Sequence, residues 1–518
     1  MSSEPLLPAF AAARTRRELI PSRAEFVRLA KGATLIPVYT ELIADLDTPV
    51  SALLKLGEAP YRYLLESVEG GERLGRYSFV GNTASLIFRS RGRTVELGRP
   101  SPQGGFRFEQ LDAPDPLDAL RRIMARFVPA EVPGLPRFYG GAVGYLSYDM
   151  VRYFERLPDK NPDDLDVPES YFIVSDTVLI FDHARRKLKV VANAHIDGVS
   201  PEVAYAEAEA RIEQVLERLG GQVQARPLHG LVDQSPPDPA TLRSNFTREE
   251  FEAAVARCQE YIRAGDIFQV VLSQRFSAPI TAAPIDLYRV LRTVNPSPYM
   301  YYLQFDDLAL VGSSPEVMVR VENGVAQLRP IAGTRPRGAT EEEDKRLAEE
   351  LLADEKERAE HVMLVDLGRN DLNRVCEYGS VRVDEMMVIE RYSHVMHIVS
   401  NVVGKLAPDK DPFDLLRATF PAGTVTGAPK VRAMEIIDEL EPTRRGPYAG
   451  AIGYFGFSGN MDSCITIRTA LIKGGTVHVQ AGAGIVADSV PAKEYEETVN
   501  KAKAMLKAIA MAESGETV

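Results

Sequence analysis

Pro330-Ile331-Ala332-Gly333-Thr334-Arg335-Pro336-Arg337-Gly338 puts two prolines, two glycines and two arginines into nine residues. Proline has no amide N–H for a ladder and holds φ at about −65°, so the stretch is neither regular helix nor central strand. It reads as a rigid, cationic turn at a strand end. Upstream, short apolar runs at 299–305, 308–312 and 317–321 predict a strand meander. Downstream, 341–374 has helical periodicity, with a break expected near Gly368. Further strands are predicted at 448–457, 463–472 and 476–481, with Gly474-Gly475 as a hairpin turn, and a last helix at 492–512.

The rest of the chain follows the same mixed pattern. Residues 1–30 read as a leader and first helix. Strands are predicted at 61–67, 77–80, 84–89 and 171–181, and helices at 116–127 and 202–219. Residues 31–221 make an N-terminal half, and 222–245, with Pro227, Pro236, Pro237 and Pro239, make a linker. The second half, 246–518, opens with a capping box, Thr247-x-x-Glu250, and a helix ending at Gly265; a strand at 267–276 follows. Gly141-Ala142-Val143-Gly144-Tyr145 recurs as Gly450-Ala451-Ile452-Gly453-Tyr454. Both copies read as strands, because neither has the spacing of a dinucleotide-binding loop. Strands and helices without regular βαβ alternation give an α+β class: two large, mostly antiparallel sheets in a sandwich-like core with helices packed outside.

Composition bounds the function. The 518 residues are 45% hydrophobic with a net charge of −12, which speaks against a nucleic-acid partner. Three cysteines lie far apart, which suits a reducing, cytoplasmic setting. No apolar run has the length of a membrane span, and no secretory signal core is expected.

Several side chains invite chemistry. Glu357, Glu360 and His361 share one helical stretch, and Glu494, Glu497 and Lys501 share one face of the last. Two helices each offering a carboxylate suit Mg²⁺, although Glu497 and Lys501 alone have the spacing of a solvated pair. The acidic run 341–344 reads as surface. Arg468 lies within an apolar strand pattern, where it either faces solvent or is held for a carboxylate. Gly482-Ala483-Gly484 follows a strand as a loop whose N–H groups could meet an anion, or as an ordinary hairpin turn. His397 stands before an apolar run and suits proton transfer, or is structural.

Pro330–Gly338, Glu360-His361-x-x-Leu364-Val365-Asp366-Leu367, Gly423-Thr424-Val425-Thr426-Gly427-Ala428-Pro429-Lys430, 448–454 and 480–501 are together similar to the chorismate-utilising enzyme family, over about 245–510. Leu64-Leu65-Glu66-Ser67 in the first half resembles the large-subunit family of anthranilate synthases. The resemblance implies that Glu360 and Glu497 ligate Mg²⁺. It implies that Gly333, Thr334, Tyr448, Arg468, Gly482, Ala483, Gly484 and Lys501 bind chorismate. It gives Glu316, His397 and Thr424 catalytic places, with Glu316 helping the ring hydroxyl leave and His397 assisting loss of pyruvate. Ser67, Pro298, Tyr299 and Met300 match a tryptophan inhibitor site.

Two positions choose within the family. Members that add water carry a lysine base where Gln269 stands, and members that aminate in the para position typically carry a nucleophilic lysine where Ala332 stands. Neither glutamine nor alanine can do those jobs, which leaves ortho amination by ammonia to give anthranilate. No glutaminase is encoded here, so a separate glutamine amidotransferase subunit is expected, in a heterotetramer of two of each. The rival readings are a para-aminating aminodeoxychorismate synthase and a tryptophan sensor without catalysis.

Overall fold

A computed structural model describes residues 18–67, 75–223, 225, 228, 242–392 and 395–514. The start of the leader and most of the 222–245 linker, including its prolines, lie outside the described residues. Every pairing between named strands is antiparallel, and they form two sheets of twelve strands each.

The first sheet runs in the order Leu35–Ile43, Lys187–His195, Thr177–Asp182, Tyr77–Gly81, Tyr61–Glu66, Tyr299–Phe305, Leu308–Ser314, Thr469–Lys473, Thr476–Ile485, Gln269–Pro279 and Arg243–Ser244. Gly427–Ala428 also pairs with Gln269–Pro279. The second runs Ile331–Pro336, Val395–Lys405, Val325–Leu328, Val317–Glu322, Met461–Ile465, Ala451–Gly456, Gly141–Leu146, Ser170–Ser175, Leu86–Arg91, Thr94–Pro100 and Phe106–Asp112, with Arg382–Arg391 also on Val395–Lys405. Strands from both sides of the linker build each sheet. One seam joins Tyr61–Glu66 to Tyr299–Phe305, with Glu66 opposite Met300. The other joins the two copies of the glycine repeat, with Gly144 opposite Gly453. Those glycines leave room for neighbouring backbone: a Cβ on Gly144 would stand 1.9 Å from the Tyr171 carbonyl oxygen, and one on Gly453 2.1 Å from that of Asp462.

The sheets meet through aromatic rings. Phe305 of the first stacks on Tyr171 of the second at 4.5 Å and meets the edge of Tyr145 at 5.7 Å. Burying Phe305 completely contributes about 1.5–3 kcal/mol before its packing is counted. Arg248–Ala264 and Pro491–Ser514 pack together, and the latter lies on Thr476–Ile485. Glu341–Ala353 and Glu355–Asn373 lie on Ile331–Pro336 of the second sheet. The predicted capping box is made, and Gly265 ends its helix in the left-handed conformation at φ 84°.

Three local expectations change. The helical break falls at Asp354, whose carboxylate accepts from the Lys356 and Glu357 amides at 3.1 and 3.2 Å and so starts a new helix. Gly368 stays inside Glu355–Asn373, facing Leu328. The Pro330–Gly338 stretch is an edge strand, Ile331–Pro336, that bulges between Ala332 and Arg335, with Gly333 at φ 67°. Its arginines are paired rather than free: Arg335 meets Glu350 and Asp354, and Arg337 meets Asp344. Asp344, from the run read as surface, is buried. It accepts from Arg337 Nε and Arg391 Nε, both at 2.7 Å, and from the Gly338 amide at 3.0 Å. Those bonds hold its carboxyl far below the usual carboxylate range, the Arg337 bond most of all.

Candidate active site

Two crossovers between the sheets meet side by side. The chain leaves Leu308–Ser314 of the first sheet for Val317–Glu322 of the second through Pro315-Glu316. It returns from Met461–Ile465 to Thr469–Lys473 through Thr466-Ile467-Arg468. The corners are laced together. Ser314 Oγ donates to the Ile465 carbonyl at 2.7 Å, the Ile465 amide to Glu316 O at 3.0 Å, and the Ser313 amide to Arg468 O at 3.1 Å. Arg468 therefore lies between strands and not inside one. It has φ 49°, a conformation uncommon outside glycine.

Glu316 is 6% exposed and accepts a hydrogen bond from Thr424 Oγ1 at 2.7 Å. Burial pushes its carboxyl up to about 7, against the opposing pull of the Thr424 hydroxyl and the Arg468 charge. Crowding by protein lowers the Arg468 pKa from its ordinary value, and Glu316 opposes that shift. A buried carboxyl poised near neutrality beside a cation is a proton donor in form. Thr424 belongs to a 3-10 turn, Gly423–Val425, that leads into Gly427–Ala428 and hence onto Gln269–Pro279.

His397 lies in Val395–Lys405 beside the bulged edge strand. Its Nδ1 is 2.8 Å from the Gly333 carbonyl oxygen and 3.2 Å from Thr334 Oγ1. A carbonyl only accepts, so Nδ1 carries the proton and Nε2 of the neutral ring is the free base. Burial keeps the imidazole below its ordinary pKa, and the Arg468 charge lowers it further. The bulge at Gly333 makes this contact possible and leans on the helices: a Cβ there would lie 2.9 Å from Leu351 Cδ1 and 3.2 Å from Glu357 Oε2.

The loop expected at Gly482-Ala483-Gly484 is instead the C-terminal part of strand Thr476–Ile485, with Gly482 opposite Ser273 and Gly484 opposite Val271. Its glycines make a floor without side chains. A Cβ on Gly482 would stand 2.8 Å from the Tyr448 hydroxyl, and one on Gly484 2.6 Å from Gln269 Nε2. Ala483, between them, is fully buried. Lys501 Nζ donates to the Gly482 carbonyl at 2.9 Å and pairs with Glu497 at 2.7 Å.

Two helices bring carboxylates to the same edge. Gln269 Nε2 donates to Glu360 Oε1 at 3.3 Å. Lys356, on the helix of Glu360, pairs with Asp488 just before the last helix, at 3.2 Å. Its pKa is raised first by Asp488 and further by Glu360 and Glu494, so its ammonium feels both helices. Glu357 is raised by burial and then by Glu360; Glu494 is raised by burial, with Glu497 adding to it. Among the described residues no group of three or more metal-type side chains closes on one point. Partly buried carboxylates raised by like neighbours nonetheless fit a hard cation that takes few protein oxygens and keeps water.

The four expected inhibitor-site residues also come together. Ser67, Pro298, Tyr299 and Met300 line one cavity of about 50 Å³ between the seams, closed on the second sheet by Tyr454 and Asp462. Asp462 accepts from Tyr299 Oη at 2.9 Å and pairs with Arg137 at 3.1 Å. The sequence reading missed a buried ion pair beside the Thr424 turn, Arg445 with Glu441 at 2.7 Å. Their spacing of four was its only signal, and that spacing usually marks a solvated helix pair.

The family of chorismate binding enzymes matches residues 62–507. Anthranilate synthase component 1 of Pseudomonas putida is 53% identical over 497 residues, covering 95% of this chain and 99% of that protein. The Aquifex aeolicus protein of the same name is 52% identical over 494 residues, covering 95% and 98%. Among solved structures, anthranilate synthase component I from Streptococcus pneumoniae superposes with a TM-score of 0.73 at 41% identity, covering 83% of this chain and 92% of that one. The menaquinone-specific isochorismate synthase of Escherichia coli shares the fold, with a TM-score of 0.68 at 19% identity. No described helix is long and apolar enough to cross a membrane. With corner acid, edge histidine and glycine floor set within matching sequence over nearly its whole length, the chain belongs to the chorismate binding enzymes and, within them, to the anthranilate synthase component 1 family.

Proposed function

We propose that this chain converts chorismate to anthranilate and pyruvate, as the first step of tryptophan synthesis, using Mg²⁺ and ammonia released from glutamine by an amidotransferase partner. The observation that carries the reading is Gln269. Its amide lies between Glu360 and Gly484, and an amide cannot deprotonate water. Ala332, 8% exposed beside the His397 strand, likewise offers no nucleophile. The remaining nucleophile is ammonia, which needs no base of its own.

The residues then divide the work. Ammonia adds at the ring carbon ortho to the carboxylate, the ring double bonds shift, and the hydroxyl leaves as water with the proton of Glu316. Thr424 and Arg468 hold that acid in place and take up the charge it is left with. The free Nε2 of His397 accepts the ring proton as the ring C–O bond breaks and the ring becomes aromatic; the enolpyruvyl group departs as the enolate, which takes a proton on its methylene carbon to become pyruvate. Glu360 and Glu497 would hold Mg²⁺, which supplies electrostatic binding of the substrate's carboxylate. Tyr448 and Lys501 border the floor on which the ring lies. The cavity at Ser67, Pro298, Tyr299 and Met300 supports feedback by tryptophan, because it lies between sheets whose spacing its occupant could change.

The test is product identity. The purified chain given chorismate, Mg²⁺ and an ammonium salt should yield anthranilate and pyruvate. Isochorismate, salicylate or a para-amino product would overturn the reading.

A further inference from the structure

Arg445 is among the largest side chains enclosed in the core, and its pair with Glu441 leaves the two side chains 1% and 2% exposed. Such a pair brings little net stability, because taking both charges out of water costs about as much as their attraction returns. Its bonds explain its presence better. Nε and one terminal nitrogen grip Glu441, at 2.9 and 2.7 Å. The guanidinium also donates to the Val425 carbonyl and to the Val271 carbonyl, both at 2.7 Å. Val425 follows Thr424, which holds the acid; Val271 lies two residues from Gln269. Glu441 completes the frame by accepting from the Ser273 amide and hydroxyl, each at 2.8 Å. The plane of Arg445 also lies over Tyr148 at 4.7 Å and Tyr448 at 5.5 Å. One buried cation thus touches the Tyr448 ring and the backbone that carries Thr424 and Gln269.

We propose that the Arg445–Glu441 pair is a positioning device for the catalytic acid, fixing the turn that carries Thr424 in register with the strand that carries Gln269. The inference rests on Glu316 acting as the acid. Glu316 is faced by Thr424 from the turn and by Arg468 from the opposite corner, and Arg329 and Asp371 line the same cavity, the latter paired with Lys430. The Thr424 hydrogen bond favours the charged carboxylate. A displaced turn weakens that bond and sends the proton-loss limb of the rate to higher pH.

The experiment compares the wild-type chain, Arg445→Lys and the double variant Glu441→Gln/Arg445→Met. In the double variant the amide oxygen still receives Ser273 and the thioether fills the arginine stem. Rates are taken with chorismate, Mg²⁺ and a fixed concentration of unprotonated ammonia across pH, alongside circular-dichroism melts. The double variant should fold, lose about 10²-fold in kcat while KM stays within about threefold, and shift its alkaline limb upward. Arg445→Lys should lie between it and wild type. A folded double variant with wild-type kcat, or with lowered kcat and an unmoved limb, overturns the proposal. Should the double variant not fold, Arg445→Lys decides alone: wild-type kcat and limb overturn the proposal, and intermediate values support it. A wild-type chain that makes no anthranilate, or has no alkaline limb, removes the reading of Glu316 instead.

Discussion

Glu316 takes its role from opposed neighbours. Burial raises its carboxyl to about 7, while Thr424 and Arg468 stop it rising further. In the proposed mechanism the protonated form is the donor, so turnover should fall as pH rises through about 7. Glu316→Gln should lower kcat by about 10²–10⁴-fold and remove that limb, read from a pH–rate profile at constant free ammonia. Stability has the same sign. An unfolded glutamate ionises from its ordinary 4.5 upward while the folded one holds its proton, so this group's contribution falls between about 4.5 and about 7. The carboxylates of Glu357 and Glu494, beside Glu360 and Glu497, are raised in the same direction, by burial first and then by like charge. Mg²⁺ should raise the melting temperature by relieving the like-charge pressure on Glu357 and Glu494, and EDTA should reverse the gain. Glu497→Ala should keep the fold and lose both that gain and activity. A metal-induced shift equal to wild type would remove Glu497 from the site.

The elements show what a local pattern can hold. The box at Thr247 and the hairpin at Gly474-Gly475 were legible because their causes lie within a few residues, whereas the runs 171–181 and 463–472 each divide into two strands of different sheets. The motifs around Glu316, His397 and Thr424 were legible as a family resemblance, but the meeting of Glu316 with Arg468 at two sheet crossovers was not, because no local period records a crossover. Arg468 was misplaced for that reason: its apolar flanks belong to strands of different sheets. Asp344 looked solvated among its acidic neighbours until Arg337 and Arg391 arrived from other elements. The glycine repeat was visible as two strands, yet its pairing across about 300 residues was not. That pairing makes a prediction. Gly453→Ala drives a methyl toward the Asp462 carbonyl and should destabilise the fold by about 1–3 kcal/mol or more, measured by denaturant unfolding. Gly474→Ala meets no atom within 4 Å and should cost only its backbone strain at φ 56°, about 1 kcal/mol.

At the scale of the molecule, both sheets are continuous across both halves of the sequence. Calorimetry should therefore record one cooperative unfolding transition, and two well-separated transitions would contradict shared sheets. The cavity lined by Ser67, Pro298, Tyr299 and Met300 lies between the seams, and under the proposed feedback tryptophan should bind there and slow turnover together. The chain contains no Trp, which leaves the ligand's own indole fluorescence free of background for the titration. Ser67→Leu should abolish the titration while kcat without tryptophan stays at the wild-type level; full inhibition of that variant would place the site elsewhere.

The second seam has a consequence during synthesis on the ribosome. Gly141–Leu146 is made roughly 300 residues before its partner Ala451–Gly456, and at 5–20 residues per second that is a wait of about 15–60 s. Through that interval Gly141–Leu146 keeps an edge of unpaired backbone groups, and Tyr61–Glu66 keeps one until Tyr299–Phe305 is made. Unpaired edges of this kind expose the nascent chain to aggregation before its final stability is reached.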